Sequence, residues 1–520
     1  MSGSQSTDEL VEELLDFCQS ESLSEDGLRD IIERYDYDWN NIHVDRNYEF
    51  FLEACRNERV TAGILRCLLE YFPDAINSTD EEGFRERHGM TPLHIICFNR
   101  FATRGMVQLI VDASPESLSR VDNDGWMPLH TLCNKKELED NAASDILGLL
   151  LERFPEAARH VTNRGYLPIH SAAISKSPEF CRMLIDAYPG SERMPLSTGA
   201  LPLHLACISN TVATTEYLYK LYPECIGLTD SRTGRNGAYP IHYAIEGMKE
   251  RANPATAVEI VQLLLRCDLN VTIQRLNGKL PLFRICYTVF SRELSLGPNA
   301  SVLDAAMRML QLLYDAHPEA IEDLQLLYDA HPETIGDDWL PQAMQTFINA
   351  QLAYFRAARD RTFISTPDEN GQLPLHRALR DNITLGSTKL LIKGNPTAIQ
   401  TPDNDGALPL HLAIQHHDST KVVDYLVGLD PNTLTGVDRE GNTALHHACC
   451  SAKYDTIALL MQKFHAVSVS KRNAYKKLPI HLLLESDAFV NREEDVKYTE
   501  IIFQLLRVYP ETVMMAEGGK

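Results

Sequence analysis

The residues best suited to chemistry in this chain are histidines and cysteines, and they recur together. His94 and Cys97, His130 and Cys133, His204 and Cys207, and His446 and Cys449 are each three residues apart. On a helix that spacing puts both side chains on one face. An imidazole beside a thiol could supply two zinc ligands, or a nucleophile with its base. The neighbouring copies weigh against both uses. The cysteine slot holds Ala173, Ile245, Ile414 and Leu484 elsewhere, and Phe283 stands where a histidine is expected. A slot open to Cys, Ala, Ile or Leu asks for a modest apolar side chain, which buried, reduced cysteine supplies. The phosphate-cradling GxxxxGK[ST], HExxH, GxSxG and dinucleotide-type GxGxxG patterns are missing. No catalytic, metal or cofactor residue is therefore assigned, and the chain is expected not to be an enzyme.

What positions the histidines is a repeat. His94, His130, His170, His204, His242, Phe283, His376, His411, His446 and His481 align at intervals of 34 to 41 residues, apart from one gap of 93. Self-similarity at this period marks a stacked array of small units. Each unit opens on a turn, as in "DNDGALPLHLAI", where the glycine permits a positive φ. The proline that follows suits the first position of a helix, where a missing N–H costs nothing. A short apolar helix comes next, then a polar break and a second helix. That second helix stops at pairs such as Phe154-Pro155 and Tyr222-Pro223, because a residue before proline is pushed out of the α region.

The register of Gly, Pro-Leu-His and second helix resembles the ankyrin-repeat family over roughly residues 44 to 515. The resemblance implies an all-α solenoid of helix–turn–helix units with short hairpin fingers. About ten to eleven repeats are expected, stacked about 10 Å apart and interrupted once by a helical insertion. At that spacing neighbouring His–Cys pairs cannot share one zinc ion, whose ligands lie within about 2.3 Å. The resemblance instead gives His94, His130, His170, His204, His242, His376, His411, His446 and His481 a structural role, bonding to backbone and tying hairpin to helix. The family's capping threonine survives at Thr91 and Thr443; Met127, Leu167, Leu201, Tyr239, Leu280, Leu373, Leu408 and Leu478 replace it elsewhere. A lost cap costs about 1 kcal/mol, and burial of the larger side chain is expected to recover it.

The expected organisation is an acidic helical cap at 1–43, a first stack at 44–322, an insertion at 323–363, a second stack at 364–515 and a tail at 516–520. The insertion contains most of a tandem duplication, "LQLLYDAHPEAIED" followed by "LQLLYDAHPETIGD". After it, Leu340, Met344, Phe347, Ile348, Leu352 and Phe355 fall at helical spacing. The reading is a helix packed on the array's side, or a joint between two stacks.

A formal charge of −23 repels nucleic-acid phosphates and anionic membranes, so neither is an expected partner. The first residues are acidic where a signal peptide is basic, and no stretch approaches a membrane span. A reduced cytoplasmic or nuclear setting and a monomer are expected. The basic run "SKRNAYKK" reads as a solvated repeat edge. The function expected is a protein-binding scaffold or adaptor whose partner carries a basic patch. The alternatives are an adaptor that brings targets to a modifying enzyme such as a ubiquitin ligase, docking through residues 1–43, and a metal protein or enzyme using the His–Cys pairs. Contact is expected on the concave face. After the turn glycines these positions are Trp126, Tyr166, Lys279, Gln372 and Asn442; later on the first helices they are Phe98, Asn134, Lys135, Tyr287, Arg380, Gln415 and His416. Exposed aromatics make strong anchors, which puts Trp126 and Tyr166 first.

Overall fold

A computed structural model describes residues 2–35, 48–80, 89–134, 137–230, 237–290, 300–321, 342–417, 419–463, 469–486 and 496–508. The architecture is all-helical. Among the described residues the only extended pairing is an isolated bridge between Leu276 and Lys279.

The first helix of each unit is short and apolar on nearly every side. In Pro202–Ser209 every residue from Pro202 to Cys207 is buried, as a helix hydrophobic all round must be. Second helices are capped by hydroxyls: Thr61, Thr103, Ser177, Thr211 and Thr384 each accept from a backbone N–H three residues on. They end as the sequence pattern expects. Tyr222, before Pro223, has φ −141° and ψ 79°, and the chain then makes a single turn of 3-10 helix over Pro223–Gly227.

The chain divides into two compact units, residues 1–309 and 310–520. In the first, the first helices form one row and the second helices another, each packing on the equivalent helix of the next repeat. The helices Ser2–Gln19 and Glu25–Arg34 stand at the head of these rows, against Glu49–Arg56 and Ala62–Tyr71. They bury Leu10, Leu14, Cys18, Leu28 and Ile32. Residues 36–43 of the expected cap lie outside the described residues.

The second unit repeats the scheme with Pro374–Arg380, Pro409–His416, Ala444–Cys450 and Pro479–Leu484 as its first helices. Its border falls before Leu310, where the sequence pattern drew one after residue 322. The reason lies in the last turns of Ala300–Ala316 and in the insertion helix Gln342–Arg359, which both pack on Leu385–Gly394. The Tyr314 ring meets Phe347 edge-on at 6.1 Å, and its hydroxyl lies 3.1 Å from Ser387 Oγ. Asp315 Oδ1 accepts from the Gly386 N–H at 2.8 Å. Gln351, itself buried, accepts from Thr384 Oγ1 at 3.1 Å and from the Ser387 hydroxyl. The insertion helix thus holds the place of a preceding second helix. The second duplicate, Leu324 to Asp337, lies outside the described residues.

Candidate binding surface

Surface residues are available for a partner only after the recurring polar groups have been accounted for. The recurring histidine is the third residue of each first helix, and its Nδ1 accepts from the N–H of the residue just before that helix. The distances are 3.2 Å at His94, 3.0 Å at His170, 3.1 Å at His376 and 3.2 Å at His446. With Nδ1 accepting, the proton sits on Nε2, which in five of the copies donates to a carbonyl of the following finger. Those bonds join His94 to Trp126 O at 2.9 Å, His130 to Tyr166 O at 3.2 Å, His170 to Met194 O at 2.8 Å, His204 to Leu228 O at 3.2 Å and His446 to Lys477 O at 3.2 Å. The imidazole therefore does half the work of a capping box whatever residue precedes the proline. This explains why leucine can replace the capping threonine. Leu167, Leu201, Leu280, Leu373 and Leu478 are also buried, recovering apolar area. Burial pushes the imidazoles down, His130, His242 and His411 to about 3 and His170 to about 4. The thiols in the slot three residues on move up for the same reason, Cys97 and Cys286 to about 12.

The fingers are built on an acidic residue that the sequence pattern did not single out. Asp122, Asp368, Asp403 and Asp438 each accept two backbone N–H groups, two and four residues on, within 2.8–3.0 Å. Asn473 does the same for Tyr475 and Lys477. The signal was in plain sight as Asp-x-x-Gly, since short acceptors favour tight turns. Consecutive fingers then join through one backbone bond: Asn163 N to Asp124 O, Asn404 N to Asn370 O, Arg439 N to Asp405 O and Ala474 N to Glu440 O, all 2.8–3.1 Å. Glycine at the tip follows from both constraints. Gly406 has φ +74°, and a Cβ there would stand 2.9 Å from Arg439 N.

Several expected contact residues are used up in this finger-to-finger packing. Trp126 is only 9% exposed; its ring stacks on Tyr166 at 6.2 Å and meets His130 edge-on at 5.7 Å. Gln372 is buried, with its amide donating to Asp403 Oδ2 at 3.2 Å. Asn442 is buried between Asp438, Glu440 and Asn473. The expectation that these three face a partner is corrected on that ground. In these three the residue after the turn glycine is packed among fingers, not turned outward. Tyr166, Lys279, Phe98 and Asn134 are half-buried. Lys135 and the side chain of Tyr287 lie outside the described residues. Arg380, Gln415 and His416 are exposed at the ends of successive first helices, with Asp381 beside them. Burial and the nearby Arg380 and Lys453 cations hold His416 below its ordinary value. Lys453 in turn caps the end of Pro409–His416, donating to Gln415 O at 3.0 Å and His417 O at 2.6 Å.

A family model described as ankyrin repeats matches residues 375–473 as three copies. The chain therefore contains ankyrin repeats in this segment. No curated protein matches the chain. Ankyrin repeats are protein–protein interaction modules, and the histidine and finger bonds found within the matched copies recur from His94 onward. Among the described residues no three His, Cys, Asp or Glu side chains gather as a metal-binding set. No described helix is long and apolar enough to cross a membrane.

Proposed function

We propose that this ankyrin-repeat chain is a non-catalytic scaffold or adaptor. It holds a partner protein against the exposed ends of its first helices and the outer edges of its fingers. One observation supports the reading: the recurring histidines are committed to backbone, while Arg380, Gln415 and His416, at the far ends of two first helices, are exposed. The histidines act as struts, each bonded to its own helix start and most also to the next finger. Arg380, Asp381, Gln415 and His416, from two neighbouring repeats, form a mixed-charge patch of the kind that sets partner choice more than raw affinity. The overall charge of −23 favours a partner whose wider surface is basic.

The test is affinity capture with the full chain, comparing wild type with a variant carrying Arg380→Glu and His416→Ala. Gln415 is left alone because its amide lies 2.8 Å from His447 Nδ1 and supports the fold. Partners that drop out while the melting curve stays put support this face. An unchanged set of partners places recognition elsewhere.

A further inference from the structure

Two successive fingers of the second unit are entered through the same three residues. Thr366-Pro367-Asp368 and Thr401-Pro402-Asp403 stand one repeat apart, and no other described finger is entered this way. The aspartates are accounted for by the turns they hold. Each proline pushes the threonine before it into extended backbone. Thr366 has φ −94° and ψ 117°, and Thr401 has φ −82° and ψ 119°. Both hydroxyls donate to a carbonyl four residues back, Thr366 Oγ1 to Thr362 O at 2.6 Å and Thr401 Oγ1 to Thr397 O at 3.0 Å. Exposure separates the two. Ser365, Thr366 and Pro367 are exposed in succession, as are Glu369 and Asn370, whereas Thr401 is half-buried.

An exposed, extended threonine followed by proline suits the cleft of a proline-directed protein kinase, because the proline fixes the backbone and brings no N–H to be satisfied. We propose that Thr366 is a phosphorylation site for a kinase of this class. In that step Thr366 Oγ1 attacks the γ-phosphorus of magnesium-bound ATP. The new O–P bond forms as the bond from the γ-phosphorus to its bridging oxygen breaks. ADP leaves, and the hydroxyl proton passes to the kinase's aspartate. The inference goes beyond the protein-binding reading and does not depend on it. The position gives the phosphate a structural consequence. Thr366 closes the helix Arg361–Ser365, which touches the insertion helix Gln342–Arg359 and both helices of the next repeat, Pro374–Arg380 and Leu385–Gly394. Ile364 is its buried residue and lies against Gly394, and the Ile364 carbonyl accepts from Asn395 Nδ2 at 3.3 Å. Esterification removes the proton that Thr366 gives to Thr362 O. It also places a charge of about −1.5 to −2 at the negative end of this short helix, beside Asp368. The phosphate therefore loosens the hold of the insertion helix on the repeat that follows it.

The test treats the full chain with a recombinant proline-directed kinase of the mitogen-activated class, magnesium and ATP. A free peptide of residues 361–371 is the unfolded control, and peptide mass mapping locates the phosphate. The expected result is phosphate on Thr366 and none on Thr401. It is lost in Thr366→Val and in Pro367→Ala, and unchanged in Thr401→Val. Circular dichroism melts show whether each variant folds. Pro367→Ala keeps the hydroxyl and its bond to Thr362, so it carries the test should Thr366→Val unfold. In the modified chain, hydrogen exchange should quicken over residues 342–365 and 385–394 and stay unchanged over residues 89–230. Modification of the peptide but not of the chain overturns the proposal, since the fold then shields the hydroxyl. So does failure to modify either, phosphate that persists on Thr366 in Pro367→Ala, or phosphate that appears equally on Thr401. Phosphate on Thr366 with unchanged exchange upholds the site and overturns the loosening. Every one of these failures leaves the adaptor reading standing.

Discussion

The two compact units solve one problem with different chemistry. In both, a large residue after the turn glycine can link its finger to the next. In the unit of residues 1–309 that residue is Trp126 or Tyr166, and the link is a ring stack at 6.2 Å. In the unit of residues 310–520 it is Gln372 or Asn442, and the link is an amide bonded to the next finger at Asp403 or Asn473. The backbone bond between fingers is the same in both. The difference teaches that, where the slot carries a large side chain, apolar area and hydrogen bonding are interchangeable there. The comparison breaks most visibly at Trp126. Trp126→Ala removes a nearly buried indole and should cost about 3 kcal/mol or more. Asn442→Ala, which strands neighbouring polar groups, should cost about 1–3 kcal/mol. Urea unfolding followed by circular dichroism checks both. A Trp126 variant as stable as wild type would return that residue to the exposed surface.

The histidines are common to both units, so acid should strike both alike. Burial lowers His130 and His242 in the first unit and His411 in the second to about 3, against 6.5 in the open chain. The unfolded state therefore binds more protons between those values, and stability falls as pH drops through 6.5. Above that value the contribution is fully present. Each such histidine should cost about 2 kcal/mol by pH 5. Hydrogen exchange resolved by peptide, at pH 7 and at pH 5, reads each unit separately. Loss of protection in one unit alone would mean that the other tolerates charged imidazoles.

Much of this was legible from the sequence because it is periodic. The helix pairs, the proline stops and the histidine register all follow from spacing, and the interchange of Cys97 with Ile245 and Leu484 pointed correctly to buried side chains at the first two. Leu484 itself is 43% exposed, at the end of the last described first helix. The finger aspartates were legible too, as Asp-x-x-Gly. What could not be read is direction. Trp126 and Arg380 both vary between repeats, and nothing in their identity says that one turns into the next finger while the other turns to water. Nor does spacing reveal that Gln351 closes a buried polar cluster with Ser387 and Thr384.

The smallest expected effect bears on the last finger. Lys476 holds a left-handed backbone at φ +61°, a position that costs an ordinary side chain about 1–2 kcal/mol. Lys476→Gly removes that cost but adds about 0.5–1 kcal/mol of unfolded-chain freedom. The net should be a gain of no more than about 1 kcal/mol, visible as a small rise in the urea midpoint. Gly406→Ala shares the dihedral and adds a Cβ 2.9 Å from Arg439 N, so it should destabilise instead. A gain at Lys476 set against a loss at Gly406 would show that the last tip forgoes stability to keep a cation. A loss at both would mean that the lysine side chain packs, and that its presence needs no explanation beyond the fold.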